Sequence, residues 1–284
     1  MGEDSGAVPA GAGWLAELAR VVVPVQCAGC GAVDVVLCAR CRAVLRAPVL
    51  RCEADAPRLD RMDGRPLLPV WARTTYDGPV RELVVAWKDR GRADLTRTLH
   101  EDFAAAVAQR ADALRAALER GAVAGPGGAR VGRPPLLVVG APSSRRAVRR
   151  RGADLVGGLA EAAAEALTAH GVPARSLAVL EQRHGARDQV GLGARARGRN
   201  LSGRVRVRAG VELAGRVVVV VDDVLTTGAT LAGAVSALER AGARVVAGFV
   251  LAATPGPERR IPDNADEATI VEHGHAASRG TNGW

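Results

Sequence analysis

Residues 217–230 restrict the possible folds of this chain more than any other segment. The run Val217–Val221 is typical of a strand buried on both faces of a parallel sheet. Asp222 and Asp223 follow where we expect the strand to end, so both carboxylates are expected to face solvent at one edge of the sheet. Thr226-Thr227-Gly228 then precede an apolar pattern with helical spacing. The segment therefore predicts a strand, a turn of small residues and a helix.

This turn is predicted to bind a phosphate group. Its backbone N–H groups can converge on an anion, Gly228 permits close approach of the backbone, and the helix directs the positive end of its dipole to the same point. The adjacent carboxylates suit the vicinal hydroxyls of a ribose. A buried strand followed by an ordinary capped helix is the alternative. The order of strand, acidic pair, threonines and helix favours the phosphate site, with these ligand-binding residues: Leu225, Thr226, Thr227, Gly228, Ala229 and Thr230.

The rest of the chain alternates predicted strands and helices, which indicates an α/β fold with a mainly parallel sheet flanked by helices. Only 2% of the residues are aromatic, so the core is expected to consist of Val, Leu and Ala. The predicted strands are Val70–Tyr76, Leu136–Val139, Leu177–Leu180, Val217–Val221 and Val245–Leu251. Helices are predicted from Gly78, from Asp94 through Leu118, and over Trp14–Arg20, Gly152–His170 and Thr230–Ala241.

Four of the five cysteines form two Cys-x-x-Cys pairs, Cys27 with Cys30 and Cys38 with Cys41. Two such pairs can place four thiolates tetrahedrally around Zn2+ and thereby fold a segment too small for a core of its own. A redox pair or unrelated surface thiols are the alternatives. We predict a closed, structural zinc site in a ribbon-like module over residues 14–52. Loss of this zinc is expected to leave ligand binding elsewhere largely intact.

The segment 217–230 resembles the signature for 5-phosphoribosyl-1-pyrophosphate (PRPP) in type I phosphoribosyltransferases: four hydrophobic residues, two acidic, two small or apolar, then Thr-Thr-Gly. The resemblance implies a type I phosphoribosyltransferase fold over residues 70–254, with a linker at 121–135. It also implies that Asp222 and Asp223 hold the ribose hydroxyls in catalysis and that residues 226–230 hold the 5′-phosphate. Because the pyrophosphate of PRPP is highly charged, Mg2+ is an expected cofactor.

A PRPP site needs further donors and cations for the pyrophosphate, and two segments can supply them. After the strand Leu136–Val139 comes a turn of small residues that we predict to bind the ligand through Ser143, Ser144 and Arg145. The polar stretch from Gln182 to Asn200 is typical of a lid over a phosphorylated substrate, although a solvated basic loop has the same composition.

The combination of a zinc ribbon with a phosphoribosyltransferase domain is similar to the ComF family. Its landmarks here are the four cysteines, Tyr76-Asp77-Gly78, Leu83, Lys88, residues 142–152, Gln189, Arg197, Asn200 and residues 222–230. The resemblance adds Lys88 to the ligand-binding residues. It also implies a role in natural competence, with single-stranded DNA and competence proteins as partners. The chain departs from the family at Ala153-Asp154-Leu155, where the family has an aromatic residue, Asn and Gln.

Charge and targeting signals restrict the setting further. The net charge of +9 suits a polyanionic partner, either nucleic acid or a phosphorylated metabolite, although a solvated arginine-rich surface has the same charge. No secretory signal or membrane-spanning apolar run is evident, so a cytoplasmic protein is expected. Residues 255–284 are expected to form a disordered tail.

Two functions from different classes fit these observations. The first is a transferase that moves phosphoribose from PRPP to an unidentified base and releases pyrophosphate. The second is a non-catalytic module that senses PRPP or a nucleotide, or that binds single-stranded DNA as an accessory factor of natural transformation. The sequence leaves the oligomeric state open, including a homo-oligomer.

Overall fold

The computed structural model describes residues 25–61, 65–120, 134–182 and 205–256. The strands are β1 (Leu50–Arg51), β2 (Val70–Thr75), β3 (Leu136–Gly140), β4 (Ala174–Ser176), β5 (Leu180–Gln182), β6 (Val205–Val207), β7 (Val217–Leu225) and β8 (Arg244–Ala253). The helices are α1 (Ala39–Leu45), α2 (Gly78–Asp89), α3 (Thr96–Ala108), α4 (Ala111–Arg120), α5 (Arg145–Arg151), α6 (Leu155–Ala169) and α7 (Ala229–Arg240), with short 3-10 turns at Glu53–Asp55 and Ala93–Leu95.

Within the described residues, the main sheet has the strand order β1-β2-β8-β7-β3-β4, and β5 and β6 form a separate antiparallel pair. Neighbouring strands from β2 to β4 are parallel, whereas β1 runs antiparallel at one edge. The described residues form two clusters of buried apolar side chains, and the valine run of β7 contributes to both. Val219 belongs to the cluster that includes residues of α2, α3 and α6, and Val220 belongs to the cluster that includes residues of α7. The predicted α/β fold with a mainly parallel sheet flanked by helices is confirmed.

The central strand β7 is longer than predicted. The sequence suggested an end at Val221, whereas the strand continues through Asp222 and Asp223 to Leu225. The reason lies in β8, which extends equally far, to Ala253, and stays paired with β7 to its end. The backbone of the acidic pair is therefore part of the sheet and is held in place by it.

Two helical predictions differ from the structure. The predicted helix Gly152–His170 begins instead at Leu155, because Gly152 has a φ of 74° and ends α5, and the Asp154 carboxylate then caps α6. The predicted helix from Asp94 is divided into α3 and α4 by a turn after α3.

The predicted strand Leu177–Leu180 is wrong, because only its last residue lies in a strand, β5. The Leu177 N–H still bonds to the Val138 carbonyl of β3, at 3.0 Å. The Val179 N–H then bonds to the Leu177 carbonyl, at 3.1 Å, and this tight turn leads the chain away from the sheet. An apolar run thus serves as a connection between two short strands, with Val179 buried in it.

The N-terminal part of the chain packs into the same structure. Leu45 of α1 is fully buried in the core formed by α2, α3 and α6. The Thr74 hydroxyl of β2 donates a hydrogen bond to the Val44 carbonyl at 3.2 Å, and the Arg46 guanidinium pairs with the buried carboxylate of Asp102 in α3 at 2.7 Å. The limits predicted for the zinc ribbon, 14–52, remain a prediction.

Several sequence-based predictions concern segments outside the described residues. These segments are the helix Trp14–Arg20, nearly all of the linker 121–135, the stretch 183–204 with most of the predicted lid, and the tail from residue 257. In the part of the chain that the structure describes, no helix is long and apolar enough to cross a membrane.

Candidate active site

A cavity of about 360 Å3 lies at the carboxyl edge of the sheet, where β7, β3 and β2 end. Ligands of parallel α/β sheets bind at this edge. The cavity brings together six residues that the sequence analysis assigned to the site: Lys88, Ser143, Asp222, Asp223, Thr226 and Thr230. It also includes Tyr76, Ala141, Pro142, Arg151, Val156, Gln182 and Val224.

Asp223 is held in an ion pair inside the protein. Its carboxylate lies 2.7 Å from the Lys88 ammonium, which α2 carries over the end of β7. Asp223 is only 8% exposed, so the expectation that both carboxylates face solvent is wrong for this residue. Because a buried carboxylate without a partner is strongly unfavourable, Lys88 stabilises the charged form of Asp223.

Asp222 is partly exposed in the same cavity and receives a hydrogen bond from the Asp223 N–H at 2.9 Å. Burial raises the pKa of Asp222 to about 8, and the charge of Asp223 acts in the same direction. The pair therefore combines a carboxylate in an ion pair with Lys88 and a carboxyl group that tends to hold its proton at neutral pH. Together they offer both hydrogen-bond acceptors and a donor to a bound hydroxyl.

The predicted phosphate turn joins β7 to α7. Gly228 has a φ of 77°, in the left-handed region that favours glycine. A Cβ added there would lie 2.7 Å from Cγ of Leu59, so the missing side chain faces the segment before β2 and not a ligand. The Arg58 N–H also donates to the Thr227 carbonyl at 2.9 Å. Gly228 therefore allows close packing of this turn against Leu59, and its predicted backbone approach to a phosphate stays a prediction.

The other residues of this turn differ in their positions. Thr226 and Thr230 line the cavity, whereas the Leu225 side chain is buried in the core. The Thr227 hydroxyl accepts a hydrogen bond from the Ala229 N–H at 3.4 Å. Side-chain contact with a ligand in the cavity is thus open to the first and last threonines of the turn.

The turn after β3 forms the opposite wall of the cavity. Ala141, Pro142 and Ser143 line it, and the Gln182 amide donates to the Pro142 carbonyl at 3.2 Å. The Ser144 hydroxyl instead accepts from the Ala147 N–H at 3.2 Å and caps α5, which begins at Arg145. Ser144 therefore has a structural role in the helix.

Three polar lining residues were not among the predicted ligand-binding residues: Tyr76 and Arg151, which were only family landmarks, and Gln182, which was only the start of the predicted lid. Each lies at or just after the end of a strand or helix whose carboxyl end faces the cavity. Tyr76 follows β2, and the position of β2 in the sheet was the missing information. Arg151 ends α5 and, like Lys88, brings a cationic side chain to the lining of the cavity.

Comparison with known proteins agrees with this geometry. Residues 153–277 match the family described as phosphoribosyl transferase domain. The match includes β7, the acidic pair and the phosphate turn, whereas Lys88 and the turn after β3 precede it. This part of the chain is thus similar to phosphoribosyl transferase domains.

Curated relatives match over a short stretch. Adenine phosphoribosyltransferases of Mycolicibacterium gilvum and Mycolicibacterium vanbaalenii are 62% and 60% identical to this chain over 42 residues, which is 15% of this chain and 24% of each relative. The chain therefore spans about a quarter of the length of these curated relatives.

Solved structures of hypoxanthine phosphoribosyltransferase from Trypanosoma cruzi are also similar. The ternary substrates complex of a mutant of that enzyme has 18% sequence identity and a TM-score of 0.34, and the comparison covers 59% of this chain and 75% of that one. The complex with the product IMP has 16% identity and a TM-score of 0.33, over 55% and 78% of the two chains.

The four paired cysteines form a second group, outside the phosphoribosyl transferase domain match. The Sγ atoms of Cys27, Cys30, Cys38 and Cys41 all lie within 4.8 Å of one another. Those of Cys30 and Cys38 are 3.6 Å apart, close to the ~3.8 Å edge of a tetrahedron with Zn–S bonds of about 2.3 Å. The group therefore fits one four-coordinate metal ion, and zinc is the metal that suits four thiolates.

The pKa values of two of these thiols, Cys27 and Cys41, are shifted in opposite directions. Burial disfavours the thiolate of Cys27, but N–H groups of Cys38, Cys30 and Gly29 outweigh this effect and lower its pKa to about 6. Burial and the neighbouring thiols raise the pKa of Cys41. Opposed shifts of this kind in one cluster are expected where several thiols compete for one charge, and a divalent metal would remove the competition.

Proposed function

We propose that this protein binds PRPP and transfers its phosphoribosyl group to a nitrogenous base, with release of pyrophosphate. The observation that supports this proposal is the cavity itself. It places an acidic pair, two cationic side chains and a threonine-lined turn at a helix N-terminus around one space. PRPP presents matching groups: ribose hydroxyls, a pyrophosphate and a 5′-phosphate. The relatives do not identify the acceptor base of this protein.

In the proposed complex, Asp222 and Asp223 bind the ribose hydroxyls. Asp223 accepts from a hydroxyl while Lys88 continues to balance its charge. Asp222 can donate its proton to one hydroxyl oxygen or lose it on binding, because its pKa of about 8 lies close to physiological pH. The strand backbone holds both side chains at one edge, so little reorganisation is needed.

The phosphates bind on either side of the ribose. Thr226 and Thr230 supply hydroxyl donors to the 5′-phosphate at the N-terminus of α7, whose dipole favours an anion. The turn at Ser143 and the guanidinium of Arg151 face the pyrophosphate from the opposite wall. The Leu225 side chain is buried in the core, so a ligand contact at Leu225 is limited to its backbone groups.

The reaction breaks the bond between C1 of the ribose and a pyrophosphate oxygen, whose electron pair leaves with the pyrophosphate. A base nitrogen forms the new bond to C1, and its proton passes to the departing pyrophosphate or to solvent. Positive charge develops on the ribose ring in between, and the ionised Asp223 stabilises it electrostatically. Mg2+ fits this site because Asp222 and Asp223 offer carboxylate oxygens, and when bound it would neutralise the leaving pyrophosphate.

The finer assignments belong to the same proposal. The four-cysteine group with Zn2+ and the adjoining phosphoribosyl transferase domain support membership of the ComF family and thus a link to natural competence. One observation favours a DNA contact as a second function: Arg146, Arg149 and Arg150 of α5 are exposed beside the cavity. Arg150 is partly committed to Asp89, at 3.0 Å. Contacts of this kind would be to phosphates and sensitive to salt.

Pyrophosphate release separates the two functions. The zinc-loaded protein is mixed with Mg-PRPP and a panel of purine, pyrimidine and nicotinate-type bases, and pyrophosphate is measured by a coupled enzyme assay. We expect release with one class of base and none in a Lys88→Met, Asp223→Asn double variant. Tight PRPP binding without release for any base would instead support the non-catalytic module.

A further inference from the structure

The cysteine module, residues 25–46, is attached to the rest of the protein at two places. One attachment runs from α1 to β2 and α3, through the Thr74 hydroxyl and the pair of Arg46 with Asp102. The other attachment is to α2, the helix that carries Lys88. The second attachment connects the metal-binding group to the candidate active site.

Both ends of α2 contact the cysteine module directly. At its start, the Pro79 carbonyl lies so close to Gly29 that a Cβ on Gly29 would be 3.1 Å from that oxygen and 2.9 Å from Sγ of Cys41. Just beyond its end, the Arg92 guanidinium donates to the Gln26 carbonyl at 3.0 Å. Gln26 immediately precedes the first cysteine ligand, and Gly29 immediately precedes the second.

Arg92 is itself fixed in position. Its guanidinium forms a bidentate pair with Asp94, at 2.8–3.2 Å. The backbone N–H of Arg92 donates a hydrogen bond to the Ala86 carbonyl in the last turn of α2. Bidentate arginine pairs have defined geometry, so they transmit position better than single contacts. The module thus holds α2 at Pro79 and at Arg92, and Lys88 lies between them.

The cysteine module has little core of its own. Val33, Val36 and Val44 are 59%, 38% and 41% exposed, and the buried members of the module are chiefly the ligands Cys27 and Cys41. A segment of this kind depends on its metal for a fixed conformation. We therefore expect metal removal to free the loops that carry Gln26 and Gly29 and to disrupt both contacts with α2.

We infer that the four-cysteine centre is a positioning device for the active site: its metal fixes α2 and thereby holds Lys88 against Asp223. This inference rests on the proposed function for its effect on ligand binding. It also revises the expectation that zinc loss leaves PRPP binding largely intact. Lys88 touches the acidic pair, whereas the cysteines, Arg92 and Gln26 act through it.

The first experiment measures the coupling without any ligand. Amide hydrogen exchange is compared between zinc-loaded protein and protein freed of zinc by a chelator. We expect faster exchange in the last two turns of α2 on zinc removal, with α7 unchanged as an internal control for the fold. Unchanged exchange throughout α2 would overturn the inference, whatever the protein binds.

The second experiment is a cycle with Mg-PRPP as the titrant in calorimetry. Zinc removal from the native protein should weaken binding on the order of 10- to 100-fold, the effect of losing one charge-assisted contact. In a Lys88→Met protein, zinc removal should change the affinity less than about twofold, because the contact it disturbs is already absent. An equal loss in both proteins would contradict a route through Lys88. Failure of zinc-loaded native protein to bind PRPP would refute the proposed function and leave the exchange result standing.

Matched substitutions test the route at full zinc occupancy. Arg92→Gln removes the contact with Gln26 and should weaken Mg-PRPP binding while metal analysis still finds zinc. Arg46→Gln breaks the other attachment, to Asp102, and should leave the affinity within about twofold of the native value. Equal effects of the two variants would show that the module acts through general stability alone and would overturn the inference.

Discussion

Replacing Asp222 by Asn should make the ligand-free protein more stable at alkaline pH. The pKa of Asp222 is raised from its ordinary value of 3.8 to about 8 by burial and by Asp223. The folded state therefore holds a proton that the unfolded chain releases above about pH 4, so this group's contribution to stability is lost as pH rises from about 4 to about 8. Asparagine has nearly the same shape and no such dependence.

The size of the effect follows from the pKa change. At about 1.4 kcal/mol per pH unit, a rise of roughly four units sets an upper limit of ~6 kcal/mol. Asp222 is partly exposed, so screening by solvent reduces the difference, and we expect about 2 kcal/mol. For a protein of this size that corresponds to a Tm difference of roughly 4–8 °C.

Thermal unfolding at pH 5 and pH 8.5, without ligand or added Mg2+, measures this difference. The Tm of Asp222→Asn relative to the native protein should rise between the two pH values, and taking the difference removes the effects of other titrating groups. Asp223→Asn is the matched control: it leaves the partly buried Lys88 without its partner and should lower the Tm at both pH values. A Tm difference for Asp222→Asn that is the same at pH 5 and pH 8.5 would refute the reasoning.

Three further outcomes are expected. Purified protein should hold about one zinc per chain by metal analysis and Cys38→Ser should hold none, so unchanged zinc in that variant would contradict the four-cysteine site. Gly228→Ala should lower the free energy of unfolding, measured in urea, by about 2–4 kcal/mol. Gly210 also has a φ of 78° but open space around it, so Gly210→Ala should lower it by only about 1–2 kcal/mol. Equal losses would contradict packing of Gly228 against Leu59. The Arg149→Ala, Arg150→Ala double variant should weaken any single-stranded DNA binding, steeply with salt, and leave PRPP affinity unchanged.

Most of the fold could be predicted from the sequence, because the patterns that specify its strands and helices are local. A run of five valines specifies a strand buried on both faces, and Gly and Thr residues after it specify a turn into a helix. The cysteine spacing likewise brings four thiols together within one short segment. Boundaries were less predictable, since the true end of β7 depends on the length of its neighbour β8.

The candidate site was predictable only in part, because several of its contacts join distant segments. No pattern near Asp223 shows that Lys88 of α2 will pair with it. The same is true of Gly228, whose neighbour Leu59 lies far away in the chain. Both contacts depend on how α2 and the segment before β2 pack on the sheet, which is tertiary information that residue type and spacing do not contain.

The central claim is that this cavity binds PRPP through its acidic pair and phosphate turn. Calorimetric titration of zinc-loaded Asp222→Asn and native protein with Mg-PRPP at pH 8 tests it most directly. We expect one PRPP site per native chain and an affinity for PRPP lower by about 10-fold or more in the variant, although the variant is the more stable protein. Affinity equal to that of the native protein would contradict the claim. Because the variant is the more stable protein, a lower affinity could not be caused by unfolding.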